Sequence, residues 1–249
     1  MLKVTQGIYK SKLFDFPSLI HGFSSKTFGD MRDAEKRKIF LSSLGLPESS
    51  LVQQEQVHKD NIHSVTLHDR GKIIPGVDGL VYKDEIASPN DQGVILSVHT
   101  ADCVPIMAVD PVARVIGVVH AGWKGTTLHI GKKMIETMVT LGSIVQDIRV
   151  IIGPHICGNC YEVDRTRSDV FESEFSSYSD VVFNRNGKLY VDIGKANWHD
   201  VISLGIQKEH IDTDTSGCTY EHCDELYSFR RSGRPLEGEM MGVIGFLRK

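Results

Sequence analysis

Val94-Ile-Leu-Ser-Val-His-Thr-Ala-Asp-Cys-Val-Pro-Ile-Met-Ala-Val109, followed after a short break by Val115-Ile-Gly-Val-Val-His-Ala-Gly-Trp-Lys-Gly125, decides the fold. Val94–Val98, Val104–Val109 and Val115–Val119 are β-branched, continuously apolar and bounded by Gly, Asp or Pro, the pattern of strands buried on both faces. From Thr127 to Leu141, Leu128, Ile130, Met134, Ile135, Met138 and Leu141 recur at helical spacing behind a Thr126-Thr127 cap, which predicts the clearest helix. Outward from this block, Ile148–Ile152, Asp180–Phe183, Lys188–Asp192 and Gly242–Phe246 predict further strands. Asp33–Leu44, Arg165–Phe175 and Ile193–Leu204 predict helices, the first and last followed by Gly45 and Gly205. The expectation is an α/β fold of α+β type with mixed sheets. Ser176–Asp180 is the nearest thing to a break and is short, so residues 1–249 are expected to form a single domain.

Composition narrows the function classes. The chain carries 28 basic and 32 acidic side chains, a formal charge of −4. Its basic residues form only short groups such as Arg70-Gly-Lys72 and Lys132-Lys133, which argues against a nucleic-acid partner. No apolar run approaches the ~20 residues a bilayer requires, so no membrane span is expected. The N-terminus lacks a basic stretch followed by an apolar segment, so a cytoplasmic location is expected. The five cysteines are an odd number, which favours reduced thiols over a disulfide framework.

Chemistry concentrates in Gln56-Val-His58, His99-Thr-Ala-Asp-Cys-Val-Pro105 and His120-Ala-Gly-Trp-Lys-Gly125. Neighbouring strands that end at one edge bring Cys103 and His120 together, as a Cys/His pair or a tetrahedral metal requires. One Cys and two His leave the fourth position of Zn²⁺ open, the pattern of a catalytic site. By spacing alone the third ligand is open among His58, His99, His63 and His155, with His58 preferred. A single histidine at a strand end is ordinarily a surface or satisfied core residue, and a single cysteine a small buried apolar one. The pairing across adjacent strand ends is what singles these out.

These segments, with Ile152-Gly-Pro154, Tyr161-Glu-Val163, Asp192 to Gly205 containing Asn197, Cys218-Thr219 and Tyr227-Ser-Phe-Arg-Arg231, resemble in this order the signature segments of the laccase-domain family. That family was long called multicopper polyphenol oxidases, and its members are now described as zinc-dependent purine nucleoside phosphorylases with adenosine deaminase activity. The resemblance runs from about residue 18 to the end. It implies a single domain of layered mixed β-sheets flanked by helices, related to bacterial toxin deamidases with a Cys-His pair. It also implies zinc bound by His58, Cys103 and His120, which then serve as catalytic residues, and purine nucleosides (adenosine, inosine, guanosine, methylthioadenosine) and phosphate as substrates. The chain departs from the family pattern at Lys59, where Gly is common, at Lys124, where Arg is usual, and over Ser232–Gly238. A Lys supplies a point charge without the planar fork of Arg.

Phosphorolysis needs an anion held against the anomeric carbon. Gly122–Thr126 leads into a helix and Lys124 adds charge, so Lys124 is one expected substrate-binding residue. Arg230 and Arg231 are the other cationic candidates, and the resemblance to the family motif favours Arg230 as the second substrate-binding residue. Adjacent strand residues face opposite sides, so Arg230 and Arg231 are not both expected to point into the site. Asp102, beside Cys103, is a candidate for orienting a ligand, for proton transfer, or simply for shaping a turn.

Three other readings compete. One is copper-dependent polyphenol oxidation with copper as the metal, although the sequence contains no H-x-H pair. A metal-free Cys-nucleophile amidohydrolase or binding module is another. The remaining cysteines suggest a second, structural zinc held by Cys157-Gly-Asn-Cys160 and Cys218-Thr-Tyr-Glu-His-Cys223. Its first half has the right spacing and its second half is loose.

Overall fold

The computed structural model describes residues 2–85, 93–213 and 217–246. Seven strands form one sheet in the order β1 (Leu2–Thr5), β2 (Ile8–Ser11), β3 (Leu19–Ser24), β16 (Met240–Phe246), β8 (Ile95–Thr100), β4 (Leu51–Gln54) and β6 (Ile73–Ile74). Six form a second, ordered β15 (Ile211–Asp212), β11 (Arg149–Ile152), β9 (Val104–Asp110), β10 (Val115–Ala121), β7 (Gly79–Lys83) and β5 (Ile62–Val65). A small third sheet joins β12 (Glu162–Val163), β14 (Lys188–Val191) and β13 (Val182–Arg185). Among the described residues the α-helices are α1 (Ala34–Ser43), α2 (Trp123–Thr127), α3 (Ile130–Thr140), α4 (Arg165–Glu174), α5 (Ile193–Ser203) and α6 (Phe229–Ser232).

Strand alternation explains how these elements stack. Along β9 and β10, Met107, Val109, Ile116 and Val118 point to one side, where they meet Phe23, Leu96, Val98 and Ile244 of the first sheet. Their neighbours Ile106, Ala108, Val115 and Val119 point to the other side, under Ile130, Met134 and Met138 of α3 and Val201 of α5. On the outer face of the first sheet, Ile95, Met241 and Val243 pack with Phe40 and Leu41 of α1. The result is a mixed α/β domain of two face-packed sheets with helices on both outer faces. Both strands of the β9–β10 pair are buried throughout, so their continuous apolar runs are required by position.

The antiparallel register pairs His120 with Pro105 and Ala121 with Val104. Cys103, directly before Val104, therefore lies at the same sheet end as His120, on the side that faces the first sheet. The crossing Ala101-Asp102-Cys103 carries the chain from β8 in the first sheet to β9 in the second.

Two local expectations are corrected. The helix expected from Thr127 to Leu141 is two helices. Gly122 caps α2, Thr126 and Thr127 lie inside it, and the chain breaks at His129, whose φ is 57°. A tertiary contact holds the break: His129 Nδ1 donates to Asp200 at 2.9 Å. Arg230 and Arg231 sit on the short helix α6 and not on a strand, so strand alternation does not govern where they point. Among the described residues no helix is long and apolar enough to cross a membrane.

Candidate functional site

At the end of the β9–β10 pair the two sheets separate around a cavity of about 450 Å³. Cys103, His120 and His58 line it. One potential ligand atom from each lies within 4.8 Å of the others. The rings of His58 and His120 stand edge to face, 87° apart with centroids at 4.7 Å. The structure thus brings together the three residues singled out in the sequence. His63, His99 and His155 are outside this group, although His99 lines the same cavity.

Asp78 organises the two imidazole donors, and the sequence reading missed it. Its side chain is fully buried. Its carboxylate accepts the backbone N–H groups of Val57 at 3.1 Å, His58 at 2.9 Å and Lys59 at 2.8 Å. It also accepts His120 Nδ1–H at 2.9 Å. That last bond fixes the tautomer of His120 and leaves Nε2 as the free donor. The three backbone bonds explain how a loop with His58 at φ 57° is held in the left-handed region. Gln56, also at positive φ, clasps the first sheet. Its side-chain carbonyl accepts His99 N–H at 2.7 Å, and its amide donates to the His99 carbonyl at 2.8 Å. The Gln-Val-His segment is therefore anchored to both sheets, by Gln56 to one and through Asp78 to the other.

The electrostatics favour a bound cation. Burial alone would raise the Cys103 thiol, but His120 and then His58 draw it down to about 7. Burial would lower His120, but the facing thiolate and Asp78 push it up to about 10. The pull is mutual: the charge on Cys103 and a proton on His120 favour one another, and a metal ion would take the place of that proton.

Gly122 leaves the room such an ion needs. A Cβ there would lie 3.1 Å from Cys103 Sγ, 3.4 Å from His58 Cδ2 and 3.6 Å from His120 Cε1. Its φ of −68° suits any residue. Gly122→Ala is therefore expected to fold normally and to hold the donors apart, weakening metal binding about tenfold, the scale of a disturbed ligand-supporting group. Metal titration beside a melting curve checks this, and unchanged affinity would remove steric room as the role of Gly122.

The cavity wall is aromatic and cationic. Trp123, Tyr161, Arg167 and Arg230 line it. Arg167 lies over Trp123 at 4.7 Å and Arg230 over Tyr161 at 5.0 Å. Arg230 also donates to the Glu162 carbonyl at 2.8 Å, which fixes its guanidinium at the rim. Lys124 does not meet the expectation placed on it: it is exposed, its ammonium is 5.6 Å from the Trp123 ring centre, and it is not among the residues lining the cavity. Helix α2 has only five residues and turns Lys124 outward. Arg167, on α4, lines the cavity where Lys124 does not.

Asp102 acts as a clamp. At φ 101°, it accepts Thr219 Oγ1–H at 2.5 Å and Arg230 N–H at 2.6 Å. It thereby ties the sheet crossing beside Cys103 to the segment that carries Arg230. Glu239, another residue missed in the sequence, lines the cavity with its carboxylate 3.6 Å from His99 Nδ1. Burial raises its carboxyl group above the ordinary range.

The family model described as multi-copper polyphenol oxidoreductase laccase matches residues 24–247. A purine nucleoside phosphorylase of Deinococcus radiodurans is 34% identical over 217 residues, covering 87% of this chain and 78% of the relative. An adenosine deaminase, RL5, from an unknown prokaryotic organism is 29% identical over 212 residues, covering 82% and 78%. Among solved structures, YlmD from Geobacillus stearothermophilus superposes with a TM-score of 0.85 at 28% identity, over 98% of both chains.

Proposed function

This chain belongs to the multi-copper polyphenol oxidoreductase laccase family, and from that membership we propose that it is a zinc-dependent purine nucleoside phosphorylase with adenosine deaminase activity. The observation that carries this reading is the convergence of one thiolate and two imidazoles, within 4.8 Å of one another, on a cavity walled by aromatic rings and guanidinium groups. The names of the relatives support the same reading. The substrates are purine nucleosides (adenosine, inosine, guanosine and methylthioadenosine) and phosphate.

His58, Cys103 and His120 would hold the metal, a set that suits zinc and leaves a coordination position open. Bound there, zinc supplies Lewis acidity to an oxygen atom. The chain's own groups do the rest. In phosphorolysis the bond from C1′ to N9 breaks, a bond from C1′ to a phosphate oxygen forms, and the departing purine takes a proton. Arg230 and Arg167 hold the phosphate at the rim. Trp123 and Tyr161 offer flat faces to the base. Glu239, whose carboxyl group burial raises, lines the cavity and serves as the proton donor to the departing purine. In deamination, water adds at C6 of adenine and ammonia leaves. Asp78 holds His120 and the His58 loop still through both reactions.

A multicopper oxidase needs additional histidine ligands, and among the described residues the other potential ligand group contains none. The Cys103–His120 pair would equally suit a Cys-nucleophile amidohydrolase. Chelation separates the two readings.

The test is chromatography of products after incubating the zinc-loaded protein with adenosine, with and without phosphate. The expected result is phosphate-dependent adenine together with inosine, both lost after chelation and restored by zinc. Absence of both products, or turnover that survives chelation, overturns the proposal. Arg230→Ala is expected to raise the KM for phosphate about tenfold or more, the value of a lost charge-assisted hydrogen bond, with little effect on the KM for nucleoside. Lys124→Ala should leave both nearly unchanged. The reverse pattern in phosphate kinetics would move the anion site to Lys124.

A further inference from the structure

We infer that Cys157, Cys160, Cys218 and Glu221 form a second metal site, structural and closed, for a zinc ion. Their ligand atoms all lie within 4.8 Å of one another. Four donors around zinc at ~2.3 Å stand roughly 3.8 Å apart, so a small contraction closes the shell.

Two chain segments with built turns supply the ligands. Cys157-Gly-Asn-Cys160 folds back on itself, with Cys160 N–H and Tyr161 N–H both donating to the Cys157 carbonyl at 3.0 and 3.1 Å. The second segment turns at Cys218, whose carbonyl accepts Glu221 N–H at 3.1 Å and His222 N–H at 2.9 Å. The two meet through an isolated bridge between His155 and Cys218 and through Thr219 N–H, which donates to the His155 carbonyl at 3.1 Å. Cys157 N–H points at Cys218 Sγ, 3.3 Å away. Cys160 Sγ lies 3.4 Å from a Glu221 oxygen. Cys223, which the spacing offered as fourth ligand, is exposed, and its sulfur lies 3.8 Å from Asp224. Glu221 takes its place, so the motif is C-x-x-C with C-x-x-E.

The donor set argues for a metal over a disulfide. A disulfide would use two of the three thiols and leave the third beside a carboxylate with no function for either. Three sulfurs and one carboxylate complete a tetrahedron and leave no open position, which marks a structural ion. The ligands adjoin the active-site wall. Tyr161 follows Cys160 and lines the cavity, and Thr219 follows Cys218 and bonds Asp102. The ion would staple both segments in place. It is independent of the function proposed above.

The test is titration of the metal-free, reduced protein with Co²⁺, followed by its thiolate charge-transfer absorption and by elemental analysis. Wild type is expected to bind two ions per chain. Cys103→Ala is expected to retain one, with the stronger charge-transfer band of a three-thiolate site. Cys157→Ser/Cys218→Ser is expected to retain one with the weaker band of a single thiolate. Saturation of wild type at one ion, with Cys103→Ala binding none, overturns the site whatever the enzyme assay shows. Should the double variant fail to fold by circular dichroism, Glu221→Ala at an exposed position serves instead. It is expected to weaken the second ion about tenfold, and an unchanged affinity overturns Glu221 as a ligand and with it the closed four-donor site.

Discussion

Cys103→Ala is expected to lower nucleoside turnover about a thousandfold or more while removing one metal equivalent per chain. Lewis-acid assistance is worth several kcal/mol, and each 1.36 kcal/mol is tenfold in rate. Two imidazoles alone make a poor zinc site, so the metal leaves with the thiolate. Folding should survive. The thiol is small and only half-buried, and an alanine occupies nearly the same volume. Its loss leaves His120 paired with Asp78. Metal analysis, steady-state kinetics and a melting curve of the metal-free protein distinguish this from a folding defect. Near-normal metal content with lost activity would point to Cys103 as a nucleophile.

Asp78→Ala is the second large effect, and it acts on stability as well as on the site. Three backbone N–H groups and His120 Nδ1–H lose their acceptor together. Unsatisfied buried donors cost about 1–3 kcal/mol each, and water reaches part of the loop, so a loss of about 3 kcal/mol is expected in denaturant unfolding. Metal affinity should fall about 10–100-fold as the His58 loop loosens and the His120 tautomer is released. Asp78→Asn separates the two contributions. Its side-chain oxygen keeps part of the loop, whereas its NH₂ can donate to His120 Nδ1 and so move the ring proton to Nε2, where it blocks ligation. The Asn variant should therefore be nearer to wild type in stability than in metal affinity. Equal recovery of both would mean that Asp78 serves the loop alone.

Much of this molecule was legible in its sequence where local pattern and tertiary demand coincide. Val104–Val109 and Val115–Val119 announce themselves because both faces of these strands are buried. Cys103 and His120 follow from them, since an antiparallel pair with a short connection brings its outer ends together. His58 was different. It sits in a loop at positive φ held by a distant carboxylate, and only its resemblance to the family segment distinguished it from His99. Asp78 carried no signal beyond its place between Val77 and Gly79 at the start of a strand. The break at His129 depends on Asp200, a contact no helical periodicity contains. The presence of Arg167 and not Lys124 in the cavity wall has the same origin: Lys124 lies on a five-residue helix and is exposed, while Arg167 arrives on α4 from another part of the chain.

Transfer of the ribosyl group of a nucleoside to phosphate is expected at the cavity of His58, Cys103 and His120. Incubation of the zinc-loaded protein with adenosine and ³²P-labelled phosphate tests it most directly. Label should appear in ribose 1-phosphate with wild type and should be lost in Cys103→Ala. Label confined to free phosphate with wild type, or sugar phosphate formed equally by Cys103→Ala, would contradict it.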